Sequence, residues 1–141
     1  MMIRLLALLW FVSLGALISL TPTTGRADAP SEIQTVIENQ LSAFSENDVT
    51  TAFAYASPTI QSIFMSPDNF GRMVRQGYPM VWRQSSVTFL SITRQSYGFD
   101  QVIMIKDLAG KSHYLKYAMV KLDTGWRING VAILQASDFS V

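Results

Sequence analysis

The sequence predicts an α+β fold in which N-terminal helices pack on a strongly bent antiparallel sheet. Apolar residues recur at three- and four-residue spacing between residues 31 and 77, which is typical of helices. The segments between residues 86 and 135 are instead rich in β-branched and aromatic residues separated by turns. Helices first and strands last indicate the α+β class. With 141 residues, 49% of them hydrophobic, the chain has material for one core and one domain.

The first 27 residues are predicted to be a secretory signal peptide. Arg4 precedes an uncharged, mostly apolar run of 16 residues from Leu5 to Leu20. That run is shorter than the about 20 residues that a membrane-spanning helix needs. We therefore expect a periplasmic or secreted protein whose folded domain is residues 28–141 and which has no stable membrane span after signal removal.

Three alternatives remain for the processing of the signal peptide. Small residues at Gly25 and Ala27 favour cleavage after Ala27, which is the site we predict. Cleavage after Ala29 would leave Pro30 directly behind the cut, a position that signal peptidases tolerate poorly. An uncleaved signal would instead make the protein a membrane-tethered accessory domain.

Three or four helices are predicted in residues 31–77. Ser31 and Gln34 form a capping-box pattern that begins the first helix. The apolar stripe of this helix consists of Ile33, Val36, Ile37, Leu41 and Phe44. Later helices are expected to begin at the cap residues Asp48, Ser57 and Ser66, the last two followed by proline. Gly77 is expected to end the last helix.

Four strands are predicted at residues 86–95, 98–107, 112–122 and 126–135. Three-residue loops ending in Gly110 and Gly125 would join the last three strands into an antiparallel meander. If Leu122 pairs with Trp126, the apolar residues change from one face of the sheet to the other along its length. This pattern indicates either a strongly bent sheet or a second face covered by another subunit, and from it we expect a homodimer through the sheet.

Composition excludes several functional classes. The chain has 11 basic and 10 acidic residues, and removal of Arg4 and Arg26 with the signal leaves 9 against 10. The absence of a basic cluster argues against a nucleic-acid partner, and the absence of cysteine excludes thiolate catalysis and cysteine-based zinc sites. His113, the one histidine, lacks metal-ligand spacing and is interpreted as a surface or hydrogen-bonded residue. We expect no metal and no cofactor, and the motifs of serine nucleophiles and phosphate loops are absent.

Several short segments of the chain resemble an uncharacterised bacterial family. The residues that carry the resemblance are 40–44, 52–61, 73–74, 77–79 and 125–131. They are similar to domain-of-unknown-function family 4864 over most of the mature chain, although Met80 replaces a second proline and Asn47-Asp48 an acidic pair. The resemblance implies the nuclear-transport-factor-2-like superfamily, in which helices and a bent sheet form a cone with a pocket at its wide end. It implies no catalytic residues, because this fold hosts enzymes and binding modules alike.

Polar residues in apolar surroundings are the candidate lining of such a pocket. Gln40 lies in the apolar stripe of the first helix, where an unpaired amide would cost about 1–3 kcal/mol, so it needs either a backbone group or a ligand as a partner. Tyr55, Tyr78 and Tyr117 each combine a ring with a hydroxyl, which suits a cavity wall as well as a core. Asp100 is predicted to lie on a strand, and its carboxylate could act as a base.

The sequence favours a non-catalytic module that binds a small apolar ligand or a protein partner. The alternative is a small cone-fold enzyme of the isomerase or lyase type. That hypothesis requires a carboxylate inside the cavity within hydrogen-bond reach of a tyrosine.

Overall fold

A computed structural model describes residues 27–139 of the chain. Within this range five α-helices come first: α1 (Ala29–Ser45), α2 (Val49–Ala54), α3 (Pro58–Phe64), α4 (Pro67–Gly77) and α5 (Pro79–Trp82). Four strands and a short 3-10 helix follow: β1 (Gln84–Gln95), β2 (Gly98–Asp107), β3 (Ser112–Leu122), β4 (Gly125–Leu134) and η1 (Ala136–Phe139). The predicted α+β class is confirmed. The predicted signal peptide, apart from residue 27, lies outside the described residues.

Side-chain caps set the starts of the first four helices. The three predicted caps are confirmed: Asp48, Ser57 and Ser66. The predicted capping box of α1 is wrong, because the helix begins earlier and its cap is Asp28, whose carboxylate accepts a hydrogen bond of 3.1 Å from the backbone N of Ser31. Pro30 fits in the first turn, where its missing N–H would have no helical partner, and so does not delay the helix.

The four strands form one curled, unclosed antiparallel sheet in the order β1-β2-β3-β4. The backbone N of Asp107 donates to the carbonyl of Lys111 at 3.0 Å, which confirms the predicted three-residue loop between β2 and β3. The loop between β3 and β4 is one residue shorter than predicted. Leu122 pairs with Gly125 instead of Trp126.

A β-bulge at Asn129 gives the sheet its single inner face. Ala118 pairs with Gly130 and Met119 pairs with Ile128, so Asn129 is an extra residue in β4. In a regular strand, two residues separated by an odd number of positions lie on opposite faces of the sheet. Because of the bulge, residues before and after Asn129 that are separated by an odd number of positions both face the helices. The predicted change of apolar residues between faces is wrong for this reason, whereas the predicted bent sheet is confirmed.

The core lies between α1 and the inner face of the sheet. Ile33, Ile37, Leu41 and Phe44 of α1 are each at most 1% exposed. They belong to the same buried cluster as inner-face residues of the sheet: Ile103, Ile105, Leu115, Tyr117 and Met119. Full burial of one such side chain contributes about 1.5–3 kcal/mol, so this contact stabilises the fold strongly.

A polar clamp joins the start of α1 to the last hairpin. One carboxylate oxygen of Glu32, Oε2, accepts hydrogen bonds from Lys121 Nζ at 3.1 Å and from Trp126 Nε1 at 2.9 Å. The donors lie 89 and 94 residues further along the chain. The clamp therefore fixes one end of the helix across the two C-terminal strands.

The face of the sheet turned away from the helices, here called the outer face, carries half-buried apolar residues. They are Val102, Met104, Ala118, Val120 and Leu122. A Cβ atom built on Gly130, which pairs with Ala118, would meet nothing within 4 Å. At Gly130 this face of the sheet therefore has open space among the described residues.

Candidate functional site

A cavity of about 240 Å³ lies between the short helices and the last two strands. Its wall is mainly apolar and includes side chains of α1, α3, α4 and β4: Phe44, Ile60, Phe64, Phe70, Met73 and Val131. An engineered protein cavity of about 150 Å³ lined by apolar residues binds benzene. The space here is therefore large enough for an organic molecule.

A local lock on β4 positions the helical wall of this cavity. The backbone N of Ser57 donates to the carbonyl of Ile128 at 2.8 Å, and the backbone N of Ile128 donates to the carbonyl of Tyr55 at 2.9 Å. The hydroxyl of Ser57 also donates to Asn129 Oδ1 at 2.7 Å. Because Ser57 is the cap of α3, the lock fixes the start of that helix against the bulge in β4. The cavity lies next to this junction between α3 and β4.

Gln40 uses half of its amide to hold the helices together. Its Nε2 donates to the carbonyl of Ala52 at 3.1 Å, which ties α1 to α2. Its Oε1 has no hydrogen-bond partner among the described residues, although the side chain is only 3% exposed and lines the cavity. The predicted need for a partner is therefore met at the nitrogen and left open at the oxygen.

Tyr117 and Tyr78 are adjacent polar groups of the cavity wall. The Tyr78 hydroxyl donates to the carbonyl of Val131 at 2.9 Å, so its proton is already committed. The Tyr117 side chain is 1% exposed, and its hydroxyl has no hydrogen-bond partner within residues 27–139. Burial raises the pKa of Tyr117 well above its usual range, and Tyr78 raises it further. Tyr117 is thus a neutral hydroxyl over the whole physiological pH range.

The unpaired atoms of Gln40 and Tyr117 are not sealed in the core. Within the described part of the chain, Gln101 Oε1 is the one fully enclosed side-chain nitrogen or oxygen that lacks a partner. The Gln40 oxygen and the Tyr117 hydroxyl therefore retain contact with free space, and both residues border the cavity. The cavity thus combines an apolar wall with two polar atoms that are free to bind.

The other two candidate residues, Tyr55 and Asp100, do not line the cavity. Tyr55 is half-buried at the end of α2, where its backbone carbonyl takes part in the β4 lock. Asp100 faces the outer side of the sheet, where it accepts hydrogen bonds from the Tyr97 hydroxyl and from Gln95 Nε2. The carboxylate–tyrosine pair that the enzyme hypothesis requires exists in the protein, but it lies at the β1–β2 turn and not in the cavity.

His113 also lies outside the cavity. Its Nε2 is 2.8 Å from Asp107 Oδ2 at the β2–β3 loop, which confirms its interpretation as a hydrogen-bonded residue. This contact lowers the pKa of the Asp107 carboxyl below its ordinary value of 3.8. Over residues 27–139, no group of three or more histidine, aspartate or glutamate side chains could hold a metal ion.

Sequence reasoning missed the apolar half of the cavity wall. Phe70 and Met73 of α4 and Ile60 and Phe64 of α3 line the cavity, and none of them was a candidate lining residue. Their spacing marks the buried side of each helix. No feature of that spacing shows whether the buried side meets another side chain or free space.

The architecture defines the class of protein: helices packed on a curled, unclosed antiparallel sheet, as in the nuclear-transport-factor-2-like fold. The chain belongs to the family described as "Domain of unknown function (DUF4864)", which matches residues 26–141. The predicted family is confirmed, and so is the predicted fold.

One solved structure agrees with this fold, and a second is similar to a lower degree. A crystal structure of an NTF-2-like protein of unknown function from Shewanella oneidensis MR-1 is 15% identical, with a TM-score of 0.53 over 74% of this chain and 97% of that chain. The intermembrane space region of the chloroplast protein ARC6 is 14% identical, with a TM-score of 0.45 over 79% of this chain and 99% of that chain. A comparison with curated proteins finds no match.

Proposed function

We propose that the protein binds a small, mainly apolar molecule in the cavity and does not catalyse a reaction on it. The observation that carries this proposal is a cavity with an apolar wall, two unpaired polar atoms and no charged side chain in its described lining. General acid–base catalysis needs a group whose pKa lies near the working pH. The titratable residues of the lining are tyrosines, and burial moves the pKa of Tyr117 further from neutrality. The site is therefore suited to binding.

Binding of an apolar probe tests this proposal. Naphthalene has about 10 non-hydrogen atoms, and with a moderate ligand efficiency it should bind with a Kd on the order of 100 μM. Isothermal titration calorimetry of the purified protein measures that affinity. Val131→Phe places a larger side chain in the cavity wall and should abolish binding.

Ile133→Phe is the matched control for this experiment. Ile133 lies two positions along the same strand, is 38% exposed and is not part of the cavity lining. This variant should bind naphthalene as the unmodified protein does. Absence of binding to the unmodified protein, or equal loss in both variants, would rule out the cavity as the binding site.

We further propose that the protein acts after export, with Asp28 as its first residue. The signal-peptide pattern supports this, and so does the position of the α1 cap, because cleavage after Ala27 keeps Asp28 whereas cleavage after Ala29 removes it. No helix in residues 27–139 is long and apolar enough to cross a membrane. Intact-mass measurement of the exported protein tests the proposal: a mass lacking residues 1–27 supports it, and a retained N-terminus supports a membrane tether instead.

A homodimer through the outer face is the proposed oligomeric state. The half-buried apolar residues of that face and the open space over Gly130 support it, because a second sheet would remove this apolar surface from water. Light scattering should give the mass of a dimer, and Ala118→Arg at the centre of the face should give a monomer. Gln76→Arg on the exposed surface of α4 is the control and should leave the dimer intact. A monomeric unmodified protein would refute this proposal.

A further inference from the structure

We infer that the cavity selects an uncharged molecule that carries a hydroxyl group on an otherwise apolar, aromatic body. This inference rests on the proposed binding function and specifies its ligand class. The residues that would recognise the hydroxyl are Gln40, through its unpaired oxygen, and Tyr117, through its unpaired hydroxyl. The class is that of phenols and aromatic alcohols.

The two unpaired atoms favour a hydroxyl over a pure hydrocarbon. Gln40 Oε1 only accepts hydrogen bonds, whereas the Tyr117 hydroxyl both donates and accepts. A hydrocarbon that displaced water from the cavity would leave both atoms desolvated without partners, which is unfavourable. A ligand hydroxyl can donate to the Gln40 oxygen and accept from Tyr117. A hydroxyl group thus has the chemistry to pair with either atom.

The same wall disfavours a charged ligand. The described lining contains no lysine, arginine or histidine to pair with a carboxylate, and no acid to pair with an amine. A buried ion without a partner loses its hydration and gains little in return. Tyr117 keeps its proton and remains a donor, because burial raises its pKa. A carboxylic acid of the same size as the hydroxyl ligand should consequently be rejected.

The size and the side chains of the wall favour an aromatic body. Phe70 lies between two other rings, with centroid distances of 5.9 Å to Phe44 and 5.8 Å to Phe64, and all three line the cavity. Offset and edge-to-face contacts with such rings stabilise an aromatic guest. Compared with the cavity of about 150 Å³ that holds benzene, a volume of about 240 Å³ corresponds to about 10 non-hydrogen atoms. A two-ring phenol has this size.

The test compares three probes of nearly equal shape by calorimetry on the unmodified protein: 1-naphthol, naphthalene and 1-naphthoate. We expect 1-naphthol to bind about tenfold more tightly than naphthalene, because it gains one or two net hydrogen bonds. We expect no measurable binding of 1-naphthoate. Tyr117→Phe should reduce the preference for 1-naphthol over naphthalene to about threefold, because 1-naphthol loses a hydrogen bond and naphthalene no longer desolvates an unpaired hydroxyl.

The matched control removes a hydroxyl outside the cavity. Tyr55→Phe should leave all three affinities unchanged, because Tyr55 is not part of the lining. Tyr117→Phe breaks no hydrogen bond among the described residues, and its melting temperature reports whether the fold is kept. The ligand series on the unmodified protein does not depend on that variant.

The outcomes separate this inference from the proposed function. Equal affinity for naphthalene and 1-naphthol, or tight binding of 1-naphthoate, would overturn the inferred ligand class and leave apolar binding standing. A preference for 1-naphthol that Tyr117→Phe does not reduce would overturn the role of Tyr117. Failure of all three probes to bind would overturn both this inference and the proposed function.

Discussion

Gly98→Ala should be among the most destabilising single substitutions in this protein. Gly98 begins β2 with a φ of +153°, a backbone conformation that residues with a Cβ atom rarely adopt. A Cβ there would lie 2.1 Å from the backbone oxygen of Met119 and 3.3 Å from the ring of Trp126. The backbone oxygen belongs to the neighbouring strand β3 and cannot move without disturbing the sheet.

The expected loss follows from two contributions. Holding alanine at a rarely populated backbone conformation costs about 1–3 kcal/mol. Forcing an extra methyl group into a packed site costs about another 1–3 kcal/mol. The free energy of unfolding should therefore fall by about 2–6 kcal/mol, a large part of the total for a domain of this size. Urea unfolding followed by tryptophan fluorescence measures it.

Gly77→Ala is the matched control, with an effect of opposite sign. Gly77 ends α4, and a Cβ there would meet nothing within 4 Å. Alanine should raise the free energy of unfolding by about 0.5–1 kcal/mol, because it restricts the unfolded chain more than glycine does. A Gly98→Ala protein within about 0.5 kcal/mol of the unmodified protein would refute the steric argument, since that is the usual effect of a neutral surface change.

Three further predictions concern polar contacts. Ser57→Ala removes a nearly fully buried hydroxyl that caps α3 and bonds to β4, and urea unfolding should show a loss of about 1–3 kcal/mol. The hydrogen bond from His113 lowers the pKa of Asp107, so its contribution to stability is present above about pH 4 and is lost as the pH falls through the lowered pKa. The difference in urea midpoint between the unmodified protein and Asp107→Asn should therefore shrink on acidification to about pH 3, and a constant difference would contradict this. The hydrogen bond to Asp100 raises the pKa of Tyr97 to about 12, and Asp100→Asn should move the phenol titration, followed by absorbance, back toward 10.0.

Local signals in the sequence predict the helices and strands better than they predict how the strands pair. The caps of α2, α3 and α4 are confirmed because Asp48, Ser57 and Ser66 act on backbone groups within three residues. The register of β4, in contrast, depends on a contact with a distant part of the chain. The bulge at Asn129 is held by Ser57, 72 residues earlier, and no residue pattern within β4 marks it.

The candidate site shows the same limit. A polar residue within an apolar stripe must face inward, which is why Gln40 could be identified from the sequence. Asp100 could not be placed, because the face on which a strand residue lies depends on register and on which side the helices cover. Tyr55 ends a short helix, and its direction is set by the bridge to β4.

The clamp formed by Glu32 has a consequence for the order of assembly. The first turn of the first helix is held by the last hairpin, so native contacts there span nearly the whole domain. Contacts between such distant residues form late, because the intervening chain must first lose its freedom. During synthesis the N-terminal helix must therefore wait for the C-terminal strands before it can dock. A ribosome-bound fragment that ends before β4 should lack this closure and stay open to proteases or to the machinery that moves unfolded chains.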